Sequence, residues 1–339
     1  MHRGGMEDYD VFSAVRIKLA ERLGVFDPSR IALGPNATWG LNAAIFGFPL
    51  SKGDAVVTTK AEHNSVLRPL HALERDCGVK VVCLDTDHAG RVSLDAWRAA
   101  MEEYRPRLAV FTHASNVTGA VNDACALAKA AKTAGAAVLL DASQTLGWIP
   151  LRAESWGVDM AAFTGHKYLL GPQGTGGLWV RPGMELAPHL VGGTGIHSDS
   201  DTMPQAMPLR LEAGTGNEPS FHGLLAALDW ADGNPLDLAA CSGRTERLKR
   251  GLAEAGAIVV EPEGACTPVV SFNVPGVSAE DVGFMLTGSY GIICRTGLHC
   301  APKVFEGLSV KSTVRLSLSR FTTDDEVEEA VCAVEDIAG

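Results

Sequence analysis

Asp141-Ala142-Ser143-Gln144 and Ala161-Ala162-Phe163-Thr164-Gly165-His166-Lys167 are the two stretches on which the fold is read. The apolar run 136–140 predicts a strand that delivers Asp141 at its carboxyl end. A second predicted strand, 159–163, leads straight into a Gly-hinged turn bearing Lys167. A carboxylate and an amine on neighbouring strand ends suit pyridoxal 5'-phosphate. The amine can form the Schiff base while the carboxylate keeps the pyridine nitrogen protonated, which makes the ring an electron sink.

Outward from this pair, short apolar strands alternate with longer helical patterns between about residues 31 and 180. Strands are predicted at 55–58, 80–84, 108–112, 136–140, 160–163 and 177–180, with helices near 41–48, 65–76, 94–103 and 124–134. That order implies an α/β architecture with a mainly parallel sheet covered on both faces. Residues 183–216 have little periodicity and read as a long functional loop. A helix over 221–230 ends at the Gly233-Asn234-Pro235 break. Beyond it lie predicted helices 242–255, 279–288 and 323–337 and strands 258–261, 269–274, 292–295 and 313–319. Two domains follow, 1–233 and a smaller α+β unit, 234–339.

Composition bounds the function. The 339 residues are 46% hydrophobic and 20% charged, and the net charge of -11 argues against nucleic acid as a partner. No run of about 18 apolar residues exists to span a membrane, and the first ten residues lack a signal peptide's apolar middle. The eight cysteines show neither Cys-x-x-Cys nor zinc-ligand spacing, so no metal site is expected. Most have apolar neighbours and read as reduced core thiols, as suits a cytoplasmic protein.

Ligands of open α/β sheets bind beyond the carboxyl ends of the strands, and polar residues gather there. Asn36 and Thr38 open a helix whose free N–H groups suit a phosphate. His63 follows the strand 55–58 and is placed to lie flat on a cofactor ring. Asn116 follows the strand 108–112, Gln144 comes three residues after Asp141, and Thr164 and His166 flank the lysine turn. Arg315 sits in a strand whose alternation aims it at the interdomain cleft, and a guanidinium grips an α-carboxylate in bidentate fashion.

The chain resembles the cysteine desulfurase and selenocysteine lyase group of class V pyridoxal-phosphate aminotransferases. The resemblance rests on Glu62-His63-Asn64-Ser65-Val66, His113-Ala114-Ser115-Asn116-Val117-Thr118-Gly119, Asp141-Ala142-Ser143-Gln144, Gly165-His166-Lys167 and Arg295-Thr296-Gly297-Leu298-His299-Cys300-Ala301-Pro302. It implies the aspartate aminotransferase-like fold, with a mainly parallel seven-stranded sheet in the large domain. It also implies Lys167 as the Schiff-base residue, Asp141 on the pyridine nitrogen, His63 on the ring and Gln144 on the phenolic oxygen. Thr38, Thr164 and His166 would meet the phosphate, and Asn116 and Arg315 the substrate carboxylate, with Arg295 also in the substrate site. Thr215, in Glu212-Ala213-Gly214-Thr215, would reach the phosphate of the partner subunit, which implies a homodimer.

Cys300 bears on the reaction. It follows Arg295 and His299 in a Gly-containing turn, with Pro302 suited to open a short helix. Basic groups and a helix N-terminus favour a thiolate. Cys294 lies in the apolar run 292–294 and reads as core. The expected activity is therefore removal of sulfur from L-cysteine, with Lys167 moving the α-proton, a persulfide left on Cys300 and L-alanine released. A sulfur-acceptor protein would take the persulfide onward.

Two other readings share these residues. One is a selenocysteine lyase, or another class V lyase or aminotransferase. The other is a catalytically weak scaffold protein, because two departures from the family pattern stand out. The family's opening segment, resembling Tyr-Leu-Asp-Asn-Ala-Ala-Thr, has no counterpart, and Met1-His2-Arg3-Gly4-Gly5-Met6 joins the pattern only after it. The Gly214-Thr215-Gly216-Asn217 stretch also differs from the usual Thr-Pro-Asn-Thr.

Overall fold

The structure is a computed structural model, described here for residues 10–196, 199–308 and 310–339. Met1-His2-Arg3-Gly4-Gly5-Met6 lies outside these. The first part of the chain runs α1 (Val11–Leu23), β1 (Ile31–Gly34), α2 (Ala37–Gly47), β2 (Ala55–Thr59), α3 (Asn64–Cys77) and β3 (Lys80–Leu84). It continues through α4 (Leu94–Tyr104), β4 (Leu108–Thr112), α5 (Ala124–Thr133), β5 (Ala137–Asp141), α6 (Ala153–Trp156), β6 (Met160–Thr164), β7 (Gly176–Val180) and α7 (Glu218–Gly233). The second part comprises α8 (Leu238–Glu254), β8 (Ile258–Val259), β9 (Val269–Asn273), α9 (Ala279–Ser289), β10 (Arg295–Gly297), α10 (Phe305–Leu308), β11 (Thr313–Ser317) and α11 (Asp324–Ala338).

The first sheet has seven strands in the order β1-β7-β6-β5-β4-β2-β3. Only β7 runs against its neighbours, so the expected mainly parallel sheet is borne out. Its strands are apolar throughout because both faces are covered. In β5, Val138 and Leu140 enter one core with Phe111 and Trp97, while Ala137 and Leu139 enter the other with Leu41 and Ile45. The strand order jumps from β5 to β4 to β2, so the polar residues at their carboxyl ends converge on one edge.

The second sheet is antiparallel, β10-β11-β9-β8. Its apolar face (Val270, Phe272, Val314 and Leu316) packs on α8, α9 and α11 through Leu248, Leu286 and Val334. Alternation turns Ser271 and Arg315 the other way, toward the first sheet. Ser271 Oγ donates to Val117 O at 2.6 Å, and Thr267 N to Gly119 O at 2.8 Å. Gly119 has φ +79°, and a Cβ there would sit 2.8 Å from Thr267 O, so only glycine permits this junction.

Some sequence expectations are corrected. Residues 292–294 form no strand; β10 starts at Arg295, and Ile293 is exposed. The pairing of Arg295 with Arg315 sets that strand, which apolarity alone could not reveal. Cys294 is therefore half-buried outside any strand, near Gly283 O. Of the eight cysteines, all free, only Cys241 is buried, and Cys77 and Cys332 are exposed. They are not mostly core thiols. Helix α1 and strand β1 were not expected, because their apolar residues are interleaved with charge or too few to show a period.

Candidate active site

Asp141 ends β5 beside Thr112 of β4 and Ala162 of β6. Its Oδ1 accepts from Ser143 N at 2.9 Å and from the Ser143 hydroxyl, which leaves Oδ2 available. Strand β6 ends at Thr164, and Gly165 N then donates to Thr175 O at 2.8 Å to start the lysine turn. A Cβ on Gly165 would lie 2.1 Å from Thr175 Oγ1. Glycine at this hinge is a packing requirement.

Lys167 projects into a cavity of ≈ 230 Å³ whose walls also hold Thr38, His63, Asn116, Asp141, Gln144, Thr164, His166 and Arg295. Burial lowers the pKa of its amine below the usual lysine value; Asp141 opposes the shift, and Arg315 and Arg295 add to it. Among the described residues it forms no ion pair. A desolvated, unpaired lysine favours the neutral, nucleophilic amine.

His63 caps α3 and accepts Ser65 N at Nδ1, 3.1 Å away. Ser65 Oγ lies 2.8 Å from that nitrogen and 2.8 Å from Thr38 Oγ1. The proton of a neutral His63 therefore rests on Nε2. Burial lowers its pKa, with Asp141 pulling the other way and Lys167, Arg295 and Arg68 pushing it further down. At the neighbouring helix start, Asn36 caps α2 by accepting Trp39 N at 3.0 Å. The free N–H groups of that first turn face the same cavity through Ala37 and Thr38. Thr164 Oγ1 and His166 Nδ1 are 2.9 Å apart.

The second sheet supplies Arg295 to this cavity and Arg315 to an adjoining one of ≈ 260 Å³ that shares Gln144, His166 and Lys167 with it. Arg315 Nη1 donates to Asn116 O at 2.9 Å, while its Nε is buried without a partner. One edge of this guanidinium is thus unsatisfied, a geometry that a carboxylate would complete. Burial lowers the pKa of Arg315, reinforced by the cross-strand Arg295.

Cys300 lies in a wider groove of ≈ 510 Å³ that shares Thr38, His63 and Ser65 with the lysine cavity. Arg295 Nη2 approaches its Sγ at 2.9 Å. His299 does not share that role. Its ring is buried, with Nε2 2.9 Å from Thr313 Oγ1, and burial then Arg315 and Arg295 push its pKa down to about 4. Among the described residues, the basic group hydrogen-bonded to the thiol is Arg295. His299 and Cys300 both adopt left-handed conformations, φ 50° and 62°. Each costs about 1 kcal/mol or more, so the turn persists only because its surroundings hold it. Pro302 does open a short 3₁₀ helix after the turn.

Thr215 does not join the cavity of its own chain. It is exposed, in a separate groove with Leu33, Pro35 and Trp39. Glu212 anchors that segment, accepting Arg16 Nη2 at 2.7 and 2.8 Å and Leu33 N at 2.6 Å.

Ser65 and Glu62 also stand in the His63 motif, though no role for either shows in the sequence. A hydroxyl two residues past a capping histidine was the available signal for Ser65. Glu62 is wholly buried, accepting Thr59 Oγ1 at 2.6 Å and Thr112 N at 3.0 Å, with Oε2 unpartnered. Burial raises its pKa to about 8, so it is a neutral acid beneath the strand ends.

Fold and site together define a pyridoxal-phosphate enzyme of the aspartate aminotransferase-like kind. The carboxylate, the unpaired amine, the tethered imidazole and the helix N-terminus around one cavity fit that cofactor. The Aminotransferase class-V family model matches residues 1–330, and the chain belongs to that family. It is 33% identical to the probable cysteine desulfurase 2 of Mycobacterium leprae, over 98% of this chain and 84% of that protein. It is 32% identical to the probable cysteine desulfurase of Methanothermobacter thermautotrophicus, over 91% of this chain and 79% of the other. Among solved structures, the apo cysteine desulfurase from Thermococcus onnurineus superposes with TM-score 0.89 at 29% identity, covering 97% of this chain and 84% of that one. The Escherichia coli cysteine desulfurase CsdA gives 0.88 at 27%, covering 99% and 87%.

Proposed function

We propose that Cys300 receives the sulfur atom of L-cysteine at this site and hands it on as a persulfide. The chain is a pyridoxal-phosphate-dependent cysteine desulfurase, by its family, its relatives and its fold. The observation that carries the role of Cys300 is the Arg295–Cys300 contact in a groove continuous with the lysine cavity. The thiolate is the form of the side chain that attacks sulfur.

When bound, pyridoxal phosphate supplies an electron sink for charge developing at the substrate Cα. Lys167 Nζ would bond the cofactor's carbonyl carbon, Asp141 Oδ2 would hold its pyridine nitrogen, and Gln144 its phenolic oxygen. His63 would lie against the ring, kept in one tautomer by Ser65. Thr38, Thr164, His166 and the N–H groups of α2 would hold the phosphate. The free edge of Arg315 would take the α-carboxylate, with Asn116 beside it. Lys167 Nζ, once free, would accept the proton from Cα. The Cys300 thiolate then attacks the substrate sulfur, forming the S–S bond as the C–S bond breaks. The electron pair of that bond stays with carbon, which is protonated and leaves as L-alanine.

The exposure of Thr215 outside its own cavity supports a homodimer in which it meets the partner subunit's cofactor phosphate. The end of α7 at Gly233 and the two separate sheets support domains 1–233 and 234–339. Free cysteines throughout support a cytoplasmic setting; among the described residues no helix is long and apolar enough to cross a membrane. The test is to add L-cysteine to purified protein while following the cofactor spectrum, alanine and sulfide together. Equal yields of alanine and sulfide under reductant are expected. A requirement for a keto-acid acceptor, without sulfide, would identify an aminotransferase instead. L-Selenocysteine turned over in parallel separates the lyase reading.

A further inference from the structure

We infer that Asn116 is a positioning residue that couples the carboxylate receptor to the Cys300 turn, so that a carboxylate held at Arg315 is felt at the thiol. The inference rests on the site reading above, and the bonds that suggest it form one connected path. Arg315 Nη1 donates to Asn116 O at 2.9 Å, and Asn116 Nδ2 donates to His299 O at 2.6 Å. The peptide group after His299 leads directly to Cys300, whose own carbonyl accepts Asn64 N at 2.7 Å.

Each part of the path is fixed where it must be. Asn116 and His299 are buried. The His299 ring is held by Thr313, two residues from Arg315 on the same strand, so β11 anchors both ends of the path. The two left-handed residues have no glycine to relax them, so their conformation depends on these external bonds. Asn116 Nδ2 spends one N–H on the turn and retains a second for a ligand in the cavity it lines. A carboxylate on the unsatisfied edge of Arg315 would tighten the same guanidinium that grips Asn116 O. Bonds sharing members in this way are energetically coupled rather than additive.

The readout is the rate at which iodoacetamide alkylates Cys300 in the holoenzyme, measured by peptide mass mapping. The rate is taken without ligand, with saturating L-alanine, and with ethylamine as an amine lacking the carboxylate. Saturation is read from the cofactor spectrum. L-Alanine is expected to slow alkylation by about threefold or more, the scale of coupling within one hydrogen-bond network, and ethylamine not to. In Asn116→Ala, with L-alanine raised until that variant's own cofactor spectrum is saturated, the L-alanine effect should collapse toward unity. His299→Gln, which keeps the carbonyl but loses the ring anchor, should show faster alkylation and a weakened effect. An L-alanine effect undiminished in both variants would mean simple shielding of the thiol and would overturn the coupling. Absence of any spectral response to L-alanine in the parent protein would instead strike at the proposed function.

Discussion

Replacing Arg315 by lysine keeps the charge and discards the fork, which makes it a sharp test of how substrate is held. In the structure Nη1 is committed to Asn116 O and Nε is buried without a partner. The Nε–Nη2 edge is thus left to receive both oxygens of a carboxylate. An ammonium supplies a point charge there, so one charge-assisted bond of about 1.5–3 kcal/mol is lost. Loss of the bond to Asn116 O adds about 0.5–1.5 kcal/mol. Together about 2–4.5 kcal/mol disappears, roughly a 30- to 2000-fold fall in kcat/KM. Most of it should appear in KM, because the carboxylate does not react and its grip is shared by ground and transition states. The assay is sulfide release under reductant over a range of L-cysteine concentrations. A kcat/KM within about threefold of the parent would refute the assignment of Arg315 as the carboxylate receptor.

Lys167→Ala should eliminate the visible absorbance of the lysine-bound cofactor, and an unchanged band would remove Lys167 from its role. Gly165→Ala forces a Cβ to within 2.1 Å of Thr175 Oγ1, so overpacking should cost about 1–3 kcal/mol in denaturant unfolding; an unchanged midpoint would show that the hinge can yield. Glu62 carries a pH signature because its folded pKa is about 8 against an ordinary value of 4.5. Below 4.5 both folded and unfolded forms are protonated. Between 4.5 and 8 only the folded form keeps the proton, so stability falls as pH rises across that window. Glu62→Gln should lose this slope and gain several kcal/mol relative to the parent between pH 5 and pH 8, as read by urea unfolding; parallel pH profiles would contradict a neutral buried Glu62.

Most of the cofactor side of the site was legible because it hangs on strand ends. Apolar runs such as Leu108–Thr112 announce strands buried on both faces, and the polar residue following each run falls at the ligand edge by geometry. Asn116 and Lys167 could be read this way, and Arg315 by alternation within β11. What stayed hidden depends on contacts between distant segments. Whether His299 or Arg295 serves the thiol is decided by the register that sets Arg295 opposite Arg315, 20 residues away in sequence. The 292–294 run looks like a strand because its three residues are apolar, whereas hydrogen bonding to β11 begins only at Arg295. Glu62 was silent because a single carboxylate in a motif gives no sign of its burial.

The central claim is that the amine at 167 and the thiol at 300 divide the work, one handling the proton and the other the sulfur. Cys300→Ala tests it most directly, with cofactor spectrum and sulfide read in the same sample after adding L-cysteine. The account expects the cofactor band and its response to L-cysteine to survive while sulfide release falls to background. Undiminished sulfide release by Cys300→Ala would contradict it.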